Sequence, residues 1–164
     1  MAGPFLPFSQ ETEKIVENGD FSQVNILNLP TGWNYRADSA DWIKIKKDDD
    51  GNHLELNAPA GKTIYMIQYL AEFKPGRNYL VRWKAKGNSE NKYRIYVEWS
   101  NNKKRKKPDF LKSSGLSEIP KPNWTLGEYK FVQPGNGYAS PYIVIYVKGP
   151  GHFDFTNIEI IETK

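Results

Sequence analysis

Apolar and polar residues alternate with a period of two along most of the chain. No stretch of eleven or more residues repeats its apolar positions at the helical spacing. The alternation predicts strands over Lys14–Val16 leading to Phe21, Trp33–Arg36, Trp42–Lys46, His53–Asn57, Ile64–Phe73, Asn78–Lys86, Lys92–Trp99, Leu126–Val132, Tyr142–Val147 and Phe153–Ile161. About ten short strands with frequent turn signals predict an all-β fold, two antiparallel sheets packed as a sandwich. Asp50-Gly51, Pro75-Gly76 and Gly149-Pro150-Gly151 mark turns that make neighbouring strands antiparallel.

Where the alternation is clean it assigns faces. Over 79–85, Tyr79, Val81, Trp83 and Ala85 point to the core and Arg82 and Lys84 outward. Over 93–99, Ile95, Val97 and Trp99 point inward, leaving Arg94, Tyr96 and Glu98 outside. Residues 142–147 are all apolar or aromatic; burying Ile143, Ile145 and Val147 leaves Tyr142, Val144 and Tyr146 on a second face too aromatic to serve solvent contact alone. Ser100–Asn123 reads as one long irregular connection, a length that in compact domains marks a functional loop or disorder.

The length of 164 residues suits one domain. The expected division is an N-terminal extension over 1–13 followed by the sandwich over 14–164. Phe5, Leu6 and Phe8 are broken by Pro4 and Pro7 and lack a cationic start, so this opening reads as neither signal peptide nor membrane span. A net charge of +4, spread along the chain, sets up no domain-wide field for nucleic acid, and neither nucleic acid nor membrane insertion is expected. The exception is the cluster Lys103–Lys107, a solvated loop, a patch for an acidic polymer or a nucleic-acid or nuclear-targeting signal. The absence of Cys rules out disulfides and thiolate chemistry.

Three segments together resemble the jelly-roll carbohydrate-binding modules appended to xylanases and glucanases, of the kind in families four, sixteen and twenty-two. They are Asn18-Gly19-Asp20-Phe21 with Gly32-Trp33, Gln68 followed by Pro75-Gly76 and Tyr79–Lys86, and the closing Gly151–Ile160 with its Asp154. Their order and spacing agree with the family over roughly residues 14–162. The resemblance implies an extracellular, secreted and monomeric domain that accompanies a glycoside hydrolase or other catalytic domain. It also implies a structural Ca²⁺, with Glu17, Asp20 and Asp154 as candidate ligands. Ser22 departs from the family's common Glu, and Asp20 and Asp154 also suit capping of turn amides.

A sugar offers apolar C–H faces and hydroxyls, so a cleft for it needs flat aromatic platforms beside hydrogen-bonding side chains. On a concave sheet, Tyr96, Tyr142 and Tyr146 are the expected platforms, with Gln68, Arg82, Arg94 and Glu98 as hydroxyl partners. The competing assignment for these tyrosines is cross-strand support of the sheet. Trp42 and Trp124, near loop ends, suit core anchoring or a rim site. His53 and His152 show no metal-ligand spacing, no nucleophile or phosphate motif occurs, and Glu98 is the one carboxylate placed among the outward aromatics. The sequence therefore predicts a non-catalytic module that binds a polysaccharide or oligosaccharide chain. Its rival is a sandwich module with a protein partner, as in a cell-surface or phage-tail assembly.

Overall fold

The computed structural model describes residues 14–102, 115–135 and 137–164. A short 3-10 helix, Ala37–Trp42, precedes nine strands: β1 (Ile43–Asp48), β2 (Gly51–Ala58), β3 (Thr63–Tyr69), β4 (Asn78–Asn88), β5 (Tyr93–Asn102), β6 (Gly115–Glu118), β7 (Thr125–Val132), β8 (Tyr138–Lys148) and β9 (Gly151–Thr163). They form two antiparallel sheets, a five-stranded one ordered β1-β2-β9-β4-β7 and a four-stranded one ordered β3-β8-β5-β6. This is the two-sheet antiparallel sandwich that the alternation predicts, in the jelly-roll form that the resemblance implies.

The period-two pattern decides the layers. On β4, Tyr79, Val81, Trp83 and Ala85 are buried, and on β5 so are Tyr93, Ile95, Val97 and Trp99. The facing rows meet in one core that holds Phe153 and Phe155 of β9 and Ile143, Ile145 and Val147 of β8. Two polar side chains inside it are matched across the layers: Trp83 Nε1 donates to Tyr93 Oη at 3.0 Å, and Tyr93 Oη donates to Glu118 Oε2 at 3.1 Å. One hydrogen-bonded chain thus links β4 of one sheet to β5 and β6 of the other.

Two expectations change. The first two predicted strands are instead an irregular strap over 14–36. Its Asn34 exchanges backbone hydrogen bonds with Ile67 on the outer edge of β3, and its Asn28 carbonyl accepts from Ile45 N–H on the outer edge of β1. The predicted long connection contains β6, a short strand that pairing with β5 creates out of the weakly β-forming Gly-Leu-Ser-Glu. Gly19 is required by close approach, since a Cβ there would stand 1.9 Å from the Ile158 carbonyl oxygen. The positive φ angles of the Asn-Gly-Asp-Phe segment fall on Asn18 and Phe21. A bulge in β9 beside Asn157, itself at φ 52°, lets Ile158 N–H donate to Gly19 O and anchors the strap. The Lys103–Lys107 cluster and the 1–13 extension lie outside the described residues.

Candidate functional site

The outer face of the four-stranded sheet is built by register. β8 lies between β3 and β5, so Tyr65, Tyr146 and Arg94 form one cross-strand row, Ile67, Val144 and Tyr96 the next, and Tyr69, Tyr142 and Glu98 a third. Residues one position away, Ile64, Met66, Ile143, Ile145, Ile95 and Val97, fill the core, which forces these nine side chains outward. The first and third rows stand four residues apart along each strand, ~13 Å. The result is an aromatic strip wider than one sugar ring.

Packing orders this strip. Val144 is only 1% exposed although it points away from the core, so it forms an apolar floor beneath the tyrosines. Tyr65 and Tyr146 pack at a centroid distance of 4.9 Å, and Tyr69 and Tyr142 at 5.8 Å. The Arg94 guanidinium lies 4.4 Å from the centre of the Tyr96 ring. Tyr142 Oη donates to Glu98 Oε2 at 2.6 Å, a charge-assisted hydrogen bond. Burial, followed by the Glu98 charge, pushes the Tyr96 phenol up to about 12. Burial and the bond to Glu98 push Tyr142 up as well. Both phenols remain neutral hydrogen-bonding groups at ordinary pH. Tyr65 and Tyr69 stay 39% and 66% exposed, the most accessible rings on the face.

The structure thus brings together five of the seven expected binding residues: Arg94, Tyr96, Glu98, Tyr142 and Tyr146. Gln68 is a correction. It shares the inward side of β3 with Ile64 and Met66, is buried, and its amide both accepts from Glu17 N–H at 2.7 Å and donates to Glu17 O at 2.8 Å, holding the strap. Arg82 is a second correction, because β4 belongs to the five-stranded sheet and the guanidinium is paired with Glu159 at 2.6 Å. Tyr65 and Tyr69 were overlooked, yet the alternation that buries Ile64 and Met66 already turns them outward.

The outer face of the five-stranded sheet carries a different group. Lys44, Glu55, Asp154 and Lys86 form one row across β1, β2, β9 and β4, flanked by His53 on β2 and His152 on β9. His53, Glu55 and Asp154 are buried, each offering a ligand atom within 4.8 Å of the others, and this group could hold a metal ion. Burial raises the Glu55 carboxyl, but hydrogen bonds from Lys44 and Asn57 outweigh it and hold the group below its usual range. Trp124 covers the group, its ring 5.2 Å from that of His53, with Lys86 Nζ 4.8 Å from the Trp124 ring.

The calcium ligand set implied by the resemblance is not assembled, which corrects two of its three members. Glu17 is exposed and engaged through its backbone, and Asp20 accepts from Ser22 N–H at 3.1 Å, so it caps a turn. Only Asp154 joins a possible metal group, and there imidazoles beside Glu55 leave fewer than the six to eight oxygens calcium requires. Near the strap, direct hydrogen bonds from Asn52 Nδ2 to Phe21 O and from Thr156 Oγ1 to Asn52 O close the junction.

No family model and no curated protein matches the sequence. Solved structures do match. The enzymatically active domain of tailspike protein 4 from bacteriophage CBA120 superposes with a TM-score of 0.68 at 15% identity, over 92% of this chain and 21% of that one. A family 16 carbohydrate-binding module gives 0.62 at 18% identity over 90% of this chain and 99% of the module. The module TmCBM61, solved with β-1,4-galactotriose, gives 0.61 at 11% identity over 93% and 100%. Modules of families four and twenty-two share the arrangement. The fold is therefore that of the jelly-roll carbohydrate-binding modules, and this chain spans nearly the whole of such modules but about a fifth of the tailspike domain. Among the described residues, no helix is long and apolar enough to cross a membrane.

Proposed function

We propose that this domain binds a glycan chain, without cleaving it, across the outer face of the four-stranded sheet. The observation that carries the reading is the strip of Tyr65, Tyr69, Tyr96, Tyr142 and Tyr146 interleaved with Arg94 and Glu98. Rings of this kind stack on the C–H faces of sugars, while the guanidinium, carboxylate and phenol groups take the hydroxyls. The length of the strip favours a stretch of chain over a single residue. Glycan ligands in the solved relatives, such as the galactotriose of TmCBM61, support this assignment.

The chemistry of the face supports binding without hydrolysis. Glycoside hydrolysis needs two carboxyl groups facing one another across the bond, roughly 5 or 6.5–9.5 Å apart. Among the nine side chains of the strip, Glu98 is the one carboxylate, and it is committed to Tyr142. The biological role that fits is an extracellular module tethering an enzyme or a cell surface to its polysaccharide. A second reading is a sandwich domain with a protein partner, as in a phage tail assembly; the likeness to a tailspike protein is compatible with it.

Titration calorimetry against neutral and acidic polysaccharides, with an assay for new reducing ends, separates these readings. Heat without new ends supports the module, and new ends show an enzyme. Silence across the panel leaves the protein-contact reading. Tyr96→Ala and Tyr146→Ala each weaken binding while leaving the circular dichroism spectrum unchanged. Wild-type affinity in both variants refutes the face assignment.

A further inference from the structure

We infer that His53, Glu55, His152 and Asp154 form a binding site for a divalent transition metal of the zinc class, on the sheet opposite the tyrosine strip. Each of the paired strands β2 and β9 contributes two side chains at alternate positions, which places all four on one face. His53 Nε2 lies 3.4 Å from Asp154 Oδ1. His152 Nε2 lies 2.9 Å from Asp154 Oδ2 and 3.9 Å from Glu55 Oε2. Four ligands at ~2.0–2.1 Å around a tetrahedral zinc stand about 3.3 Å from one another. The two approaches to Asp154, 3.4 and 2.9 Å, stand near that value; His53, Glu55 and Asp154 each offer an atom within 4.8 Å of the others, and His152 joins them from the Asp154 and Glu55 side.

Two features favour a cation at this site. Asp154 is 4% exposed, and its Oδ1 has no hydrogen-bond partner, a costly state for a buried carboxylate oxygen. The second is the orientation of His152. Asn57 Nδ2 donates to Glu55 Oε1 at 3.2 Å, which turns Asn57 Oδ1 toward His152 Nδ1 at 2.7 Å and assigns the ring proton to Nδ1. His152 Nε2 then faces the Asp154 carboxylate at 2.9 Å, an approach that a cation shared between the two would stabilise.

The surroundings resemble the outer shell of a metal site. Asp48 Oδ2 lies 3.4 Å from His53 Nδ1, Asn57 holds His152 Nδ1, and Lys44 Nζ holds Glu55 Oε1 at 3.0 Å, leaving Oε2 to face the site. Trp124 roofs the His53 side. A surface recess of about 430 Å³, lined by Lys86, Gly87, Asn88, Pro122, His152 and Asp154, provides the way in. Two imidazoles with two carboxylates suit zinc and its neighbours, whereas calcium requires six to eight oxygens. The ion would staple β2 to β9, so its binding should register as stability.

The test uses the tag-free full chain, stripped with a chelator and dialysed, titrated with ZnCl₂ and separately with CaCl₂. The expected result is one Zn²⁺ per chain and a Tm raised by about 5–10 °C at a hundredfold excess over Kd, with no response to Ca²⁺. Asn57→Ala, which removes only an outer-shell contact, weakens zinc binding by about 10–100-fold. His152→Ala, at a partly exposed position that leaves the core intact, abolishes the Tm shift. Absence of zinc binding by the wild type, unchanged zinc affinity in both variants, or a calcium response lost in Asp154→Asn would each overturn the assignment.

Discussion

Replacing Tyr93 with Phe removes one oxygen and breaks the chain that links the two sheets. Trp83 is 0% exposed and donates its indole N–H to that oxygen, so the substitution strands a buried donor. An unsatisfied buried donor costs roughly 1–3 kcal/mol. Glu118 also loses its partner, but it is partly exposed and water replaces the phenol there. A loss of about 2 kcal/mol lowers Tm by about 4–8 °C and the urea midpoint by roughly 1 M, with the slope unchanged. Tryptophan fluorescence during urea titration reads this directly. A double-mutant cycle with Trp83→Phe isolates the bond, because Tyr93→Phe should cost less once the indole N–H is gone. β6 is hydrogen-bonded to the sheet only through β5 among the described strands, so amide exchange over Gly115–Glu118 should also quicken. A midpoint within about 0.1 M of wild type would show that the indole has another acceptor and that this chain does not hold the sheets together.

Three further outcomes follow from the same packing. Gly127→Ala places a methyl 2.4 Å from the Trp83 ring and lowers stability by about 1–3 kcal/mol, measured by thermal melting. Gly19→Ala meets the Ile158 carbonyl, a backbone atom that cannot rotate away, and should expose the Ile158 amide to rapid hydrogen exchange. The raised phenols of Tyr93, Tyr96 and Tyr142 give a sign for alkaline pH. The unfolded chain loses these protons from about pH 10, while the folded chain keeps them, so their stabilising effect is complete below that pH and declines as pH rises toward about 12, the value for Tyr96. Urea midpoints across that window should fall, and fall less steeply in Tyr96→Phe.

The faces of individual strands were legible because a pleated strand shows its two sides at alternate residues. Arg94, Tyr96, Glu98, Tyr142 and Tyr146 follow from that rule, and Tyr65 and Tyr69 obey it equally. Gln68 departs from its expected place because the same rule, which buries Ile64 and Met66, turns it inward. Arg82 was turned outward as predicted, but which sheet a strand joins depends on partners far away in sequence, here β7 and β9. The metal-ligating group was hidden for the same reason: His53 and His152 carry no local spacing signal and meet only through the pairing of β2 with β9. β6 has almost no intrinsic preference for a strand and exists because β5 offers it an edge.

The strap over 14–36 touches the open margins of both sheets, at Ile67 on β3 and at Ile45 on β1. Those margins would otherwise present unpaired amides and carbonyls to any passing strand. Cleaving the chain after residue 36 would keep every named strand, yet would uncover the core beneath Phe21 and Trp33 and should let molecules associate side by side. Fusion partners or tags that tug on this segment would do the same in milder form.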